Sequence, residues 1–256
     1  MNDHPEPMDE QTSPDNASLP VIKLKLGEHT GIQSPVFDLC HSVPYGADFE
    51  SNFCDFVELT NAKIRVVIGE IVVLWKLIGD HIVEPDILRK IKPTIRQFLD
   101  SETEVSDVTD KLNTFFAGMK NKLMVTCLVL QIDPNSTDVQ IVNAGSEYPL
   151  FGRKSGQVEV HESDSNIPLG IMKDVRFETS VLQLKHGEAI VLFTECLVNK
   201  AGLENSHPIE NFLKQRLKKP INSAENFCGE VMEKYNDLCG EYRYGDATLI
   251  CIRRVD

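Results

Sequence analysis

The sequence predicts an α+β fold in which two antiparallel sheets pack face to face and a helix pair covers each outer surface. The order of elements is the first observation: strands, two helices, a long block of strands, two more helices and a last strand. This order differs from the strand–helix alternation of parallel sheets. The second observation is the number of strands, about eight or nine, which suits two packed sheets better than one.

The composition suits one domain with a hydrophobic core. The chain has 256 residues, of which 41% are hydrophobic and 25% are charged, so it can bury a core without disulfides. Residues 1–19 are acidic and lack apolar periodicity, so we expect a disordered tail followed by a single domain over residues 20–256. The opening residues do not resemble a signal peptide, and no apolar run approaches the roughly 20 residues that cross a bilayer.

The net charge and the cysteines indicate which classes of partner and which cellular compartment to expect. A net charge of −13 argues against nucleic acid or an anionic membrane as the main partner, although it fits an acidic protein without a special partner as well. The seven cysteines form no Cys-x-x-Cys pair and lie mostly in apolar runs. We therefore expect buried thiols and a cytoplasmic location.

The first strands predict a hairpin. Residues 53–59 alternate between apolar and polar, and Ile64–Ile68 form a β-branched run typical of a buried strand. Thr60-Asn61 supplies the turn between them. Gly69 and Glu70 are placed at the end of the buried strand, where a carboxylate can project from the sheet into a cleft.

Helical spacing follows this hairpin. Apolar residues recur at intervals of three and four from Leu74 to Leu99 and again from Val105 to Met119, which predicts two helices. Pro93 is expected to start or kink the first helical segment rather than to lie within it. Ser101 and Glu104 match a capping box for the second helix.

Turn residues divide the second half of the chain into strands and two helices. An earlier alternating segment, Val21–Leu26, predicts one more strand. The later strands are expected at Leu123–Ile132, Asp138–Asn143, Tyr148–Arg153, Val158–His161, Val175–Leu184, Glu188–Thr194 and Ala247–Arg253, and the helices at Pro208–Leu217 and from Ser223 onward.

Short segments in chain order resemble the SpoIIE-type branch of the metal-dependent PP2C (PPM) serine/threonine phosphatases. Tyr45–Phe49 is similar to the family's Gly-Gly-Asp-aromatic loop, and Val67–Glu70 to its Ile-Gly-Asp strand end. Further segments resemble its Asn-Ala-Gly-His, Leu-Gly, Gly-Asp, Thr-Asp-Gly and Asp-Asp-x-Thr-Leu motifs. The resemblance implies the PP2C-like α-β-β-α sandwich. These further segments are Val142–Gly145, Pro168–Ile171, Leu184–Glu188, Ile190–Glu195 and Gly245–Leu249.

The resemblance also implies a site for two divalent cations. In the family, carboxylates at strand ends hold two Mn²⁺ or Mg²⁺ ions, and a bridging water attacks the phosphoserine phosphorus. Hard cations of this kind prefer oxygen ligands. Carried over by position, the candidate metal ligands are Asp48, Glu70, Glu195 and Asp246.

This sequence departs from the family pattern at the central positions. Glu70 and Glu195 stand where aspartate is expected, and the extra methylene moves each carboxylate by more than the ~0.2 Å tolerance of ligand distances. Cys196 replaces a glycine, Gly245 replaces the first aspartate of the final pair, and Ile71–Trp75 replaces a glycine-rich turn. We therefore expect a remnant site without a metal, with one retained Mn²⁺ or Mg²⁺ ion as the alternative. Without a metal, the carboxylates would bind a proton or a lysine.

The expected function is that of a pseudophosphatase or regulatory binding module in a bacterial partner-switching pathway. By resemblance, the partner is a phosphorylated STAS-like regulator or another signalling protein. Two alternatives stay open. One is a divergent but active Mn²⁺- or Mg²⁺-dependent phosphoserine and phosphothreonine phosphatase, and the other is a sensory module that forms a homodimer.

Overall fold

The structure, a computed structural model, describes residues 34–42, 51–73, 87–119, 123–163, 167–198, 208–239 and 247–256. These residues form ten strands and five helices. The strands are β1 (Phe37–Ser42), β2 (Asn52–Glu58), β3 (Ile64–Val73), β4 (Leu123–Ile132), β5 (Asp138–Ala144), β6 (Leu150–Gly152), β7 (Val158–Val160), β8 (Ser180–Gln183), β9 (Ala189–Phe193) and β10 (Leu249–Arg254). The helices are α1 (Ile87–Leu99), α2 (Val105–Gly118), α3 (Glu195–Val198), α4 (Pro208–Leu217) and α5 (Ala224–Cys239).

The strands form two five-stranded antiparallel sheets, as the sequence predicts. The first sheet has the order β1-β10-β9-β6-β7, and the second has the order β2-β3-β4-β5-β8. An apolar layer fills the space between them, with Ile68 and Leu128 from the second sheet and Leu192 and Ile250 from the first. The apolar faces of the two sheets are therefore buried against each other.

Helices cover both outer faces and complete the α-β-β-α layering. Helices α1 and α2 pack on the second sheet, where Ile95 and Leu112 meet Val67 of β3 in one cluster. Helices α4 and α5 pack on the first sheet through a cluster that includes Leu213 and Phe227. The predicted fold class is confirmed. None of the helices in the described ranges is long and apolar enough to cross a membrane.

Strand β3 extends further than the sequence predicts. Glu70 is not at its end, because the β-branched residues 71–73 continue the strand and pair with Leu123–Val125 of β4. Alternation along β3 directs Ile68 into the layer between the sheets and Ile71 toward the helices. The side chain of Glu70 therefore lies on the face of β3 that meets the first sheet.

The structure bears on two local predictions about the helices. Pro93 does not start the helix, because it lies inside α1 on the exposed face, where water can hydrogen-bond the carbonyl that the missing N–H leaves unpaired. A kink at Pro93 stays a prediction. Ser101 and Glu104 do not form a capping box, since the N-cap Glu104 makes no side-chain capping bond. Ser101 Oγ instead donates to Phe98 O at 2.6 Å and closes the end of α1.

The sequence reasoning missed two elements and overestimated a third. Strand β1 and the short helix α3 were not predicted, and β8 covers only the last part of the expected strand Val175–Leu184. The predicted strand Val21–Leu26 and the first part of the predicted helix, residues 74–86, lie outside the described residues, as does the tail 1–19.

Gly69 precedes the candidate carboxylate at a crowded point of the second sheet. A Cβ at this position would lie 2.5 Å from Phe53 Cζ, 2.7 Å from Thr126 O and 2.9 Å from Cys127 Cβ. We expect Gly69→Ala to lower the free energy of unfolding by about 1–3 kcal/mol in urea denaturation. The matched control is Gly229→Ala in α5, which has open space around it and should stabilise the helix by about 0.5–1 kcal/mol. Equal effects of the two changes would contradict this account.

His41 predicts a pH dependence of stability. It lies on β1 two residues after the interior Leu39, close to Phe56, and its Nδ1 is buried without a hydrogen-bond partner. Burial lowers the pKa of His41 from 6.5 to about 4. The unfolded chain therefore takes up a proton on this residue as the pH falls through that window while the folded chain does not. The free energy of unfolding is therefore unaffected by this residue above pH 6.5, and it falls progressively, by about 3 kcal/mol in total, as the pH is lowered from 6.5 to 4.

The measurement is urea unfolding of the chain and of His41→Leu at several pH values across that window. Stability should fall more steeply with decreasing pH in the chain than in the variant. Identical slopes for the two proteins would show that His41 is not the group responsible.

Candidate functional site

The candidate site lies at one end of the space between the two sheets. The apolar layer ends at Ile68 of β3 and Leu192 of β9. Beyond it, the second sheet contributes Asn52 and Glu70, which are directly paired across β2 and β3. The first sheet contributes Thr194 at the end of β9. The interior therefore changes from apolar to polar at this end.

A hydrogen-bond network joins the two sheets beside Glu70. Asn52 Nδ2 donates to Thr194 Oγ1 at 3.1 Å, and the same hydroxyl oxygen accepts the backbone N–H of Thr248 at 2.9 Å. The Thr194 N–H in turn donates to Thr248 O at 3.0 Å. All three residues are buried. Since buried polar groups are costly to leave unpaired, this network fixes the separation of the sheets at the site.

Glu70 contacts the first sheet through a thiol. Cys196, in the short helix α3 that follows β9, places its Sγ 3.5 Å from Glu70 Oε1, where the thiol donates to the carboxylate. On the other side of β3, Glu70 is paired with Thr126 of β4. The carboxylate is half-buried. One of its oxygens therefore faces sulfur.

The predicted metal ligands are brought together only in part. Glu195 is the exposed first residue of α3, next in sequence to the Cys196 that contacts Glu70. Both glutamates therefore come from elements that meet at the same end of the sandwich. Asp48 and Asp246 lie outside the described residues, as do the loop Tyr45–Phe49 and Gly245.

The described side chains do not by themselves fit a centre for two hard cations. Within the described ranges, no group of three or more His, Cys, Asp or Glu side chains is placed to hold a metal ion. Mn²⁺ and Mg²⁺ prefer oxygen ligands, whereas Cys196 presents a soft sulfur to the oxygen of Glu70. A cation on that oxygen would share it with the thiol.

Other segments that resemble the family motifs form or stabilise turns. Asn143 closes the turn after β5, since its Oδ1 accepts Ser146 N at 2.8 Å and its Nδ2 donates to Ser146 O at 3.1 Å. Gly145 has a φ of +75°, and a Cβ there would lie 2.7 Å from Pro168 Cγ. Glu188 accepts Lys185 N at 2.9 Å and pairs with Arg153. These residues hold the scaffold.

Sequence reasoning missed Asn52 and Thr194, which join the sheets, and it did not predict the contact between Cys196 and Glu70. The sequence indicates only weakly that Asn52 faces the interior, because it lies two residues before Cys54 and four before the interior Phe56. That spacing assigns it to the inner face. Its partner is 142 positions away, which local patterns cannot indicate.

Comparisons with known proteins agree with the architecture. The family model for Stage II sporulation protein E (SpoIIE) matches residues 87–255, more than half of the chain. No curated protein sequence matches the chain. The two-domain RsbU–RsbW structure of Rv1364c from Mycobacterium tuberculosis superimposes with a TM-score of 0.69 at 17% identity, covering 86% of this chain and 61% of that chain.

Two further solved structures share the fold. The PP2C phosphatase domain of SpoIIE from Bacillus subtilis, with a fragment of its regulatory domain, gives a TM-score of 0.67 at 16% identity over 86% of this chain and 61% of that chain. RsbX in complex with magnesium gives 0.61 at 15% identity over 87% of this chain and 97% of that chain. The match thus spans 61% of the length of the first two structures and nearly all of RsbX. The chain belongs to the SpoIIE family and has the two-sheet fold of PP2C-type phosphatases.

Proposed function

We propose that the chain is a pseudophosphatase, a SpoIIE-family domain that binds a phosphorylated signalling protein at the cleft between its sheets without hydrolysing the phosphate. The observation that carries this proposal is the thiol of Cys196 on Glu70 Oε1. A cysteine stands where the family has a glycine, and it engages the carboxylate that the family uses for metal.

The chemistry of the donor set supports this proposal. A two-cation phosphatase needs several oxygens placed within about 0.2 Å of their ideal distances. Glutamate at positions 70 and 195 lengthens two of the candidate ligands. The bond from Asn52 to Thr194 fixes the sheets beside Glu70, so the cleft has little freedom to accommodate the longer side chain.

The proposed partner follows from the family. Its members act in bacterial partner-switching circuits, so we propose a phosphorylated STAS-like regulator or a related signalling protein as the ligand, in the cytoplasm. The cleft holds at most one Mn²⁺ or Mg²⁺ ion, among Asp48, Glu70, Glu195 and Asp246.

A divergent active phosphatase is the second candidate. The observation in its favour is that β3 and the β9–α3 junction bring Glu70 and the neighbour of Glu195 into contact at one end of the sandwich. This proximity supports the second candidate, because the resemblance assigns both acidic positions to one metal site.

The test compares hydrolysis of p-nitrophenyl phosphate and of a phosphoserine peptide, with Mn²⁺ in excess, by the chain and by the double variant Asp48→Ala, Glu195→Ala. We expect both proteins to give the same background rate. Calorimetric titration with a phosphorylated regulator and its unphosphorylated form should show preferential binding of the former. Metal-dependent turnover that disappears in the double variant would establish the active phosphatase instead.

A further inference from the structure

Three surface segments meet at the end of the sandwich opposite the candidate site. They are the β6–β7 turn, the β8–β9 turn and the end of α4. A Cβ at Gly187 would lie 3.7 Å from Lys154 Cδ, and one at Gly156 would lie 3.1 Å from Lys218 O, so the three segments are in contact. Since β6 runs antiparallel to β9, both turns lie at the end of the first sheet away from Thr194.

These segments carry a cluster of lysines that we call the lysine face: Lys154, Lys185, Lys218 and Lys219. All four are exposed. None forms an ion pair with a carboxylate of the described residues.

Three carboxylates on the turns of the lysine face or at the chain end beside them have arginine partners. Glu159 and Glu188 pair with Arg153, and Asp256 pairs with Arg254. Glu159 and Glu188 share one arginine, so they offset one of the four lysine charges, and the lysine face keeps a net positive charge on a chain whose net charge is −13.

The described chain begins next to this face. Val36 O accepts the N–H of Val255 at 2.8 Å, and Arg254 O accepts the N–H of Gly187 at 3.0 Å. The first described residues, from Ser34 to Val36, therefore lie close to the turn that carries Lys185.

The composition of that preceding segment is complementary to the lysine face. Residues 1–19 contain five carboxylates and no lysine or arginine. Residues 20–33 can span about 45 Å when extended, enough to reach any part of the face. The five acidic residues are Asp3, Glu6, Asp9, Glu10 and Asp15.

We propose that the lysine face is the docking surface for this chain's own acidic segment, residues 1–19. The contact is electrostatic and is favoured because the tether keeps the carboxylates at a high local concentration. It covers the lysines and leaves the candidate site, at the other end of the sandwich, free for a partner. The proposal does not depend on whether the chain hydrolyses phosphate.

Zero-length carbodiimide cross-linking of the full chain, read by peptide mass spectrometry, tests the proposal. Carboxylates of residues 1–19 should cross-link to the lysine face several-fold more than to Lys111 of α2 or Lys173, two exposed lysines away from it. The excess should largely disappear when the salt concentration is raised from about 0.02 M to about 0.5 M. The Debye length then becomes shorter than the distance over which the opposite charges attract each other. Equal yields at the face and at the reference lysines would overturn the proposal.

A second arm follows the reactivity of the four lysines toward an acetylating reagent. Neutralising the five tail carboxylates (Asp3→Asn, Glu6→Gln, Asp9→Asn, Glu10→Gln and Asp15→Asn) should raise acetylation of the lysine face and leave Lys111 and Lys173 unchanged. Unchanged acetylation of the face would contradict the docking. Cross-links found only between isotopically light and heavy chains would also overturn it, since the occupant would then be a second copy.

Discussion

Replacing Arg65 by methionine is expected to lower the free energy of unfolding by about 4–5 kcal/mol. Arg65 is fully buried on β3, and its guanidinium donates four hydrogen bonds. Nη1 reaches Leu99 O at 2.7 Å and Ser101 O at 2.8 Å, while Nη2 reaches Thr103 O at 2.8 Å and Gln131 Oε1 at 2.6 Å. Arg65 thus closes the end of α1 and shapes the connection to α2.

Methionine fills a similar length but leaves these four acceptors without their donor. Burial itself lowers the pKa of Arg65 by desolvation, so removing the charge recovers part of the loss. The lost hydrogen bonds outweigh that gain, because each acceptor stays buried or half-buried.

The measurement is the urea midpoint and slope of the chain and the variant. The matched control is Arg176→Met, where the same change removes a mostly exposed side chain whose bond to Asp110 is 2.5 Å long, and it should cost at most about 1 kcal/mol. A loss at Arg65 no larger than that at Arg176 would contradict the role assigned to Arg65.

Restoring the family residues at four positions is expected to raise Mn²⁺-dependent hydrolysis of a phosphoserine peptide by about 10²–10³-fold. The variant combines Glu70→Asp, Glu195→Asp, Cys196→Gly and Gly245→Asp. It shortens two carboxylates, removes the thiol from Glu70 Oε1 and supplies the missing aspartate beside Asp246.

The control for this variant carries the first three changes but keeps Gly245. It should bind metal less tightly and turn over less peptide than the full set, because a cation pair needs the additional oxygens. If the unmodified chain already shows Mn²⁺-dependent hydrolysis above background and as fast as the restored variant, the active-phosphatase alternative is correct; equal background rates in both would contradict the role assigned to the four positions.

The layers and the order of the elements could be predicted from the sequence, whereas the pairing of segments far apart in the chain could not. The structure gives β4 and α4 the predicted bounds, Leu123–Ile132 and Pro208–Leu217, because turn and proline residues mark their ends. Strand β1 was missed because its neighbour β10 lies at the far end of the chain. Local patterns contain no information about such pairing.

The metal site stays a prediction, and the contacts around Glu70 were not predicted. The β-branched run before Gly69 and the family resemblance led to Glu70, and the resemblance alone led to Glu195. The failed capping box shows the limit, since Arg65 draws the carbonyl groups of Ser101 and Thr103 toward the sheet and the local signal is overridden. The Asn52–Thr194 bond and the Cys196–Glu70 contact likewise form only when the two sheets come together.

Counting the Mn²⁺ ions bound per chain at equilibrium tests the central claim most directly. Titration should show fewer than two ions, and Asp48→Ala, Glu195→Ala should change the count by at most one. Two tightly bound ions per chain, both lost in that double variant, would contradict the account.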